Sequence, residues 1–355
     1  MATDTASGDR RYVPQLDGLR AVSVAAVAYS HWLPAYQVGV PFGAGVHLFF
    51  VLSGLLITRI LLGLRDEPAR GRAVVRFYLR RALRLFPAFY TVLGLAWLAG
   101  VPLVAATWPW HAAYLSNVYI ARQAAWQGHL SHFWSLAVEE QFYLVWPWLV
   151  VWAPARWLGP IFVATVAAGP LARTAAAARG LSEPFWALVP AGSADSLGAG
   201  ALVAWTLWAP RTRDRARPIW GWACVAGLGL WLGMRVVEAG GFLLPAAVAA
   251  WRQVAQAAVF AWIVHRAWDG VGGLPGRVLS HPAAIAIGRI SYGIYLVHAF
   301  APLALDSGLQ RAGVSWAAPW PSPARAAASW VVTIGLAALL WRAVEAPAHR
   351  LKSRL

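Results

Sequence analysis

About ten stretches of this chain are each apolar for roughly 20 residues, long enough to cross a hydrocarbon core of about 30 Å as a helix. They lie near residues 17–35, 44–62, 85–105, 134–153, 157–174, 186–208, 218–235, 243–265, 282–303 and 323–343. Few folds are open to such a chain. In lipid every backbone N–H and C=O must be satisfied within the protein, and the alternation of a barrel strand is absent, so the segments read as helices. The expectation is an all-α fold: a polytopic membrane bundle of about ten transmembrane helices. A single integral membrane domain should fill 1–355, with no appended soluble domain. Composition agrees: 59% of the 355 residues are hydrophobic and 12% charged, about half the charge of a soluble protein. One cysteine, Cys224, excludes a disulfide framework and a Cys-rich zinc site; no metal centre is expected. Met1–Arg11 is polar, and Asp17 and Arg20 interrupt the apolar run that a cleavable signal would need.

An even number of spans puts both termini on one side. The tails share it with every even-to-odd loop, the most basic being those between spans two and three and between six and seven, and that side holds about 21 of the 30 Lys+Arg. The positive-inside rule makes that side cytoplasmic. The formal charge of +16 therefore reads as topology and contact with lipid headgroups, not as a nucleic-acid surface. The location implied is the inner (plasma) membrane, crossed many times.

Ionisable groups inside spans are costly, so each is a candidate site residue. The first span carries Asp17, Arg20 and His31. Eleven positions at 100° return His31 to within about 20° of the Arg20 face, about 16 Å further along the axis. A cation there could hold a phosphate or a polarised carbonyl, and an imidazole could take a proton from a hydroxyl. Equally, Arg20 could snorkel and His31 bond a neighbouring helix. The fourth span opens on Trp134-Ser135-Leu136-Ala137-Val138-Glu139-Glu140-Gln141-Phe142-Tyr143. Ser135, Glu139 and Tyr143 share one stripe, with Glu140 about 100° round beside Leu136 and Leu144. A carboxylate in that stripe could orient a histidine, or both acids could simply favour a helix start. Before the third span, Arg72, Arg76, Arg80 and Arg84 form a stripe, with Arg81 beside Arg84. Such forks suit a donor with several phosphates, or anionic lipid. The ninth span holds Arg289, Ser291, Tyr292, Tyr295 and His298, the sixth Asp195 and Ser196, and the last ends near Glu345. Alone, each reads equally well as helix–helix glue.

The longest outer segment, 107–132, contains Trp108, Trp110, Trp126, His111, His129 and Asn117. It reads as an interfacial lid whose aromatics could stack on sugar rings. There is no GxxxxGK[ST], no HExxH and no G-x-S-x-G elbow around any serine, which argues against a nucleotide-driven pump, a standard metalloprotease and an elbow hydrolase. Ser53, in Phe49-Phe50-Val51-Leu52-Ser53-Gly54, is thus no nucleophile.

Six stretches together resemble the acyltransferase 3 family of membrane O-acyltransferases. They are Leu16 to His31 with its Arg-x10-His, Gly45 to Gly54, Phe77 to Pro87, Phe133 to Pro147, Ser291 to His298, and Glu345 to Pro347. The resemblance implies about ten helices, a cytoplasmic acyl-CoA cosubstrate with no tightly bound cofactor, and transfer of an acyl group, most simply acetyl, to a hydroxyl. The acceptor would be a glycan, a glycolipid or a hydroxylated secondary metabolite. It implies that His31 and Arg20 are essential and that Arg81 and Arg84 matter; joined to the residue reading above, the expected catalytic set is His31, Arg20 and Glu139, with His31 as base oriented by Glu139. Arg80, Arg81, Arg84 and Ser53 would serve the donor. Asp17, Trp134, Ser135, Glu140, Tyr143, Asp195, Ser291, Tyr292, Tyr295, His298 and Glu345 would serve the acceptor or support the site. Two positions depart from the family's pattern: His47 stands where many members have an acid, and Ser193 where many have an arginine. The rival readings are a transporter or flippase of lipid-linked sugars and a non-catalytic membrane sensor that binds an acyl donor.

Overall fold

The computed structural model of the protein describes residues 12–36, 42–126, 128–181, 190–208, 210–240, 245–314 and 322–352. The polar start Met1–Arg11 and the first residues expected for the spans at 186 and 243 lie outside the described residues. Every regular element among the described residues is helical. In order they are α1 (Pro14–Trp32), α2 (Gly45–Leu64), α3 (Arg70–Leu98), α4 (Val104–Ala112), α5 (Ser116–Gln123), α6 (Phe133–Trp152), α7 (Ala155–Ala178) and α8 (Ala194–Trp208). Then follow α9 (Pro210–Gly240), α10 (Pro245–Asp269), α11 (Gly273–Leu279), α12 (Pro282–Arg289), α13 (Ser291–Val297), α14 (Ala301–Arg311), α15 (Pro323–Leu340) and α16 (Ala346–Lys352).

Four described helical stretches are long and apolar enough to cross a membrane by themselves: Phe42–Leu64, Ala155–Ala178, Asp214–Gly240 and Pro323–Leu351. The chain is a membrane protein. Helices α1, α3 and α6 are also long, but Asp17 and Arg20, the arginines, and the Glu139–Glu140 pair lower their hydropathy. All three line the cavity described below, together with α2 and α13.

Three apolar cores hold the bundle. Val24 and Val27 of α1 meet Phe89 of α3, Phe133 of α6 and Ile294 of α13. Leu48, Val51 and Leu55 of α2 meet Val203 of α8 and Val264 of α10. Leu61, Tyr143, Trp146 and Phe162 form the third. The most extensive seam is α2 on α8. A methyl on Gly54 would overlap the Leu197 carbonyl, and one on Gly200 the Val51 carbonyl. With little hydrophobic drive between helices in lipid, such backbone approach is how packing energy is gained.

Two expected spans are not continuous helices. The ninth, 282–303, breaks at Ile290 between α12 and α13, and again after Val297. The last does not end near 343: α15 passes through a π turn at Trp341–Glu345, where the Ala346 N–H reaches the Trp341 carbonyl, into α16. Both irregularities carry site residues, as π turns frequently do.

Candidate active site

A cavity of about 140 Å³ opens between α1, α2, α3, α6 and α13. Arg20 enters from α1, Ser53 and the apolar Leu52, Leu56, Ile57 and Ile60 from α2, and Arg81 and Arg84 from α3. Helix α6 adds Ser135, Glu139 and Tyr143, and α13 adds Ser291, Tyr292 and Tyr295. The structure thus gathers residues from five of the sequence stretches singled out above, from Arg20 near the start of the chain to Tyr295.

Most polar groups here are held by protein. Ser53 Oγ donates to Glu139 Oε1 at 2.8 Å. Arg81 Nε pairs with Glu140 Oε1 at 3.3 Å, and its guanidinium lies 3.2 Å over the Tyr143 ring. Glu140 is therefore an ion-pair partner and not a helix-start charge beside leucines. Tyr292 OH donates to the Leu85 carbonyl at 3.0 Å, and Tyr295 OH to the His132 carbonyl at 3.0 Å, with Ser135 Oγ 2.6 Å away. Arg20 and Arg84 differ. Among the described residues neither has a hydrogen-bond or ion-pair partner. The two guanidiniums feel each other's charge, with Glu345 the carboxylate acting on both and Asp17 and Glu139 acting on Arg20 as well. The π turn buries Glu345 there, and its Oε1 likewise has no described partner. Two guanidiniums and an apolar wall suit a ligand with an anionic head and a lipophilic tail.

His31 lies outside this cavity. Its side chain is exposed, and Nδ1 lies 2.8 Å from Nε2 of His298. Glu139 does not orient it. The eleven-residue rise places His31 about 16 Å beyond Arg20, whereas Glu139 stands level with Ser53 and acts on Arg20. The place beside His31 that sequence reasoning gave to Glu139 is taken by His298, fully buried at the end of α13. Tyr295 and Phe49, rings 6.0 Å apart, both line the cavity, with Ser135 beside Tyr295.

Other expected site residues lie off the cavity. Arg80 does not line it; of the stripe Arg72, Arg76, Arg80 and Arg84, only Arg84 does. Asp17 accepts from Tyr12 OH at 2.8 Å, and Arg289 Nη2 donates to the same hydroxyl at 3.1 Å. Arg289 thus ends α12 with an exposed side chain. Trp134 packs on Phe50, rings 5.9 Å apart. Asp195 belongs to a separate buried network: Arg173 Nη2 pairs with its Oδ2 at 2.6 Å, and the Ser196 N–H donates to Oδ1 at 2.8 Å. Gln253 Nε2 lies 3.1 Å from His47 Nδ1 and 3.4 Å from Asp195 Oδ1. The departures at His47 and Ser193 therefore sit in or beside this network, away from Arg20 and Arg84. Sequence reasoning missed Arg173, although it is an ionisable residue inside the fifth expected span. It also missed Gln141, whose Nε2 donates to Asn117 Oδ1 at 3.0 Å.

The segment expected as a lid docks through buried polar contacts. His111 is fully buried, with Nδ1 2.7 Å from Ser116 Oγ and Nε2 3.2 Å from Thr107 Oγ1. Tyr90 OH donates to the Ala112 carbonyl at 2.8 Å. His111 and Asn117 are thus structural, while Trp108 and Trp126 are exposed. Burial pushes the His111 imidazole down to about 4 from 6.5. Between those values the opened segment binds more protons than the docked one, so docking weakens as pH falls below 6.5. Amide exchange across 104–123, corrected for intrinsic rates, should speed up about 30-fold at pH 5 relative to pH 8. His111→Gln should flatten that dependence; an equally steep one would show that His111 is not its source.

The family described as an acyltransferase domain matches residues 13–342. The chain is 37% identical over 160 residues to the peptidoglycan O-acetyltransferase OatA of Listeria monocytogenes, covering 39% of this chain and 24% of that protein. It is 36% identical over 160 residues to a Staphylococcus aureus protein provisionally named an O-acetyltransferase, with 40% and 25% covered. It is 35% identical over 163 residues to YrhL of Bacillus subtilis, provisionally named a peptidoglycan O-acetyltransferase, with 40% and 24% covered. The chain spans about a quarter of the length of these relatives. No solved structure matches.

Proposed function

The chain belongs to the acyltransferase 3 family, and we propose that it moves an acetyl group from acetyl-CoA, presented at the arginine end of the bundle, to a glycan hydroxyl at the histidine end. The observation that carries the reading is the Arg20–Arg84 pair, without described partners in a cavity whose α2 wall is largely leucine and isoleucine. The acetyl group and the sugar acceptor are taken from the names of the relatives. The sides are taken from the positive-inside rule with ten spans, which makes the arginine end cytoplasmic.

In this account the phosphates of the donor sit on Arg20 and Arg84. Arg81 is held in place by Glu140 and Tyr143 and adds positive field. The pantetheine arm runs along α1 past Ser53, Glu139 and Tyr143, whose polar atoms can meet its amides, toward Tyr295. The rise from Arg20 to His31, about 16 Å, is comparable to the length of that arm. His31 takes the proton of the acceptor hydroxyl as its oxygen attacks the thioester carbonyl. The C–O bond forms, the C–S bond breaks, and the proton passes on to the leaving thiolate.

A phosphate contact of this kind contributes about 1.5–3 kcal/mol. Arg84→Gln should therefore raise the KM for acetyl-CoA about 10–100-fold and leave kcat within a few-fold. An unchanged KM would remove the arginines from donor binding.

The transporter reading has one observation in its favour, the broken helix at Ile290, because transporters often bind substrate at such breaks. A transporter would move acetyl-CoA or a glycan across vesicles without releasing thiol.

A further inference from the structure

We propose that His298 is a positioning residue that fixes the tautomer of His31 and leaves Nε2 of His31 as the reacting nitrogen. The inference rests on the reading of His31 as the base.

The argument starts from a group whose hydrogen-bonding role admits no choice. His298 Nδ1 lies 2.7 Å from the Tyr295 carbonyl oxygen, and a carbonyl only accepts. That carbonyl is free because α13 ends at Val297, which leaves its last-turn carbonyls without helical donors. Nδ1 of His298 therefore carries a proton. The ring is fully buried, and among the described residues no acid pairs with it, so a charge on it would be buried without compensation. A neutral ring with its proton on Nδ1 has a bare Nε2. That bare nitrogen faces His31 Nδ1 at 2.8 Å, so the proton between them belongs to His31. The ring planes differ by 12° and the centroids are 5.0 Å apart. The contact thus lies in the plane of both rings, where the N–H and the lone pair point, and is not a face-to-face stack. The remaining nitrogen of His31, Nε2, is left bare, on an exposed side chain and without a partner among the described residues.

The backbone holds the relay. Trp32, next to His31, donates its Nε1–H to the His298 carbonyl at 3.2 Å. His132 flanks the pair, its ring 4.8 Å from that of His298 at 70°, and is held by the Leu296 carbonyl at 3.2 Å. When His31 takes a proton on Nε2 it becomes cationic, and its Nδ1–H bond to His298 becomes charge-assisted and stronger. His298 thus does with a neutral nitrogen what a carboxylate does in a Ser-His-Asp triad, and the carbonyl behind it stops it from rotating its own proton into the bond.

The direct test is 15N magic-angle-spinning NMR of histidine-labelled protein in lipid at pH 8, with His31 assigned by subtraction of the His31→Ala spectrum. The expected signature is a protonated Nδ1 and a bare Nε2. Kinetics supply the second arm. His298→Phe keeps the ring shape and loses the acceptor; it should lower kcat by about 100-fold or more with the KM for acetyl-CoA within about twofold. His298→Gln places an amide oxygen near the lost nitrogen and should recover most of that loss. A protonated Nε2 on His31, or an undiminished kcat in a folded His298→Phe, overturns the proposal. The two levels separate cleanly. Full turnover in His31→Ala removes the base itself and this inference with it. The wrong tautomer on an essential His31 removes this inference alone.

Discussion

His31→Ala should lower acetyl transfer by about 10³-fold, the middle of the range that a general base contributes, while the protein stays folded and still binds donor. The side chain is exposed, and its one hydrogen-bond partner among the described residues is His298, so its loss opens no cavity in a core. Arg20, about 16 Å away along α1, and Arg84 on α3 keep their places and with them the KM for acetyl-CoA. The expected pattern is therefore a kcat effect alone, the mark of an interaction made in the transition state and absent from the ground state. A variant that lost KM in parallel would instead point to His31 as part of the binding surface. One that lost folded protein would make the His31–His298 bond a structural brace.

The second large effect falls on stability, and away from the cavity. Arg173→Leu leaves Asp195 fully buried without its cation, at a cost of about 3–5 kcal/mol. The thermal midpoint in detergent should fall by on the order of 10 °C. Replacing both partners, Arg173→Met with Asp195→Leu, should recover most of it, because an apolar pair of similar volume is often neutral or better than a buried ion pair. The kcat of the double variant should stay close to wild type. A double variant that was stable but inactive would return Asp195 to the acceptor site, where sequence reasoning had placed it.

The membrane class, the spacing of Arg20 and His31, and the family were legible in the sequence because each rests on local pattern: apolar length, helical period and linear motifs. Glu139 and Tyr143 were rightly placed on one stripe, and both line the cavity. What the sequence concealed depends on where helices stop. The break at Ile290 and the end of α13 at Val297 free the Tyr295 carbonyl for His298, and an apolar run reads as unbroken through both. The π turn at Trp341–Glu345 rotates Glu345 toward Arg20 and Arg84, and no hydropathy pattern marks such a turn. The exchange of partners followed from axial height. Glu139 and His31 were matched by chemical type, but one stands beside Ser53 and the other at the far end of α1. Arg80, on the same stripe as Arg84, misses the cavity by one helical turn, a distance that periodicity alone cannot rank.

The central claim is acyl transfer through the bundle from a thioester to a hydroxyl. It is tested most directly in proteoliposomes with the protein uniformly oriented, radiolabelled acetyl-CoA at the arginine end and peptidoglycan fragments at the histidine end. The account predicts free thiol at the arginine side and labelled ester on the glycan at the other, in equal amounts, each requiring both substrates. Intact acetyl-CoA with label or glycan carried across unchanged would contradict it and establish a transporter.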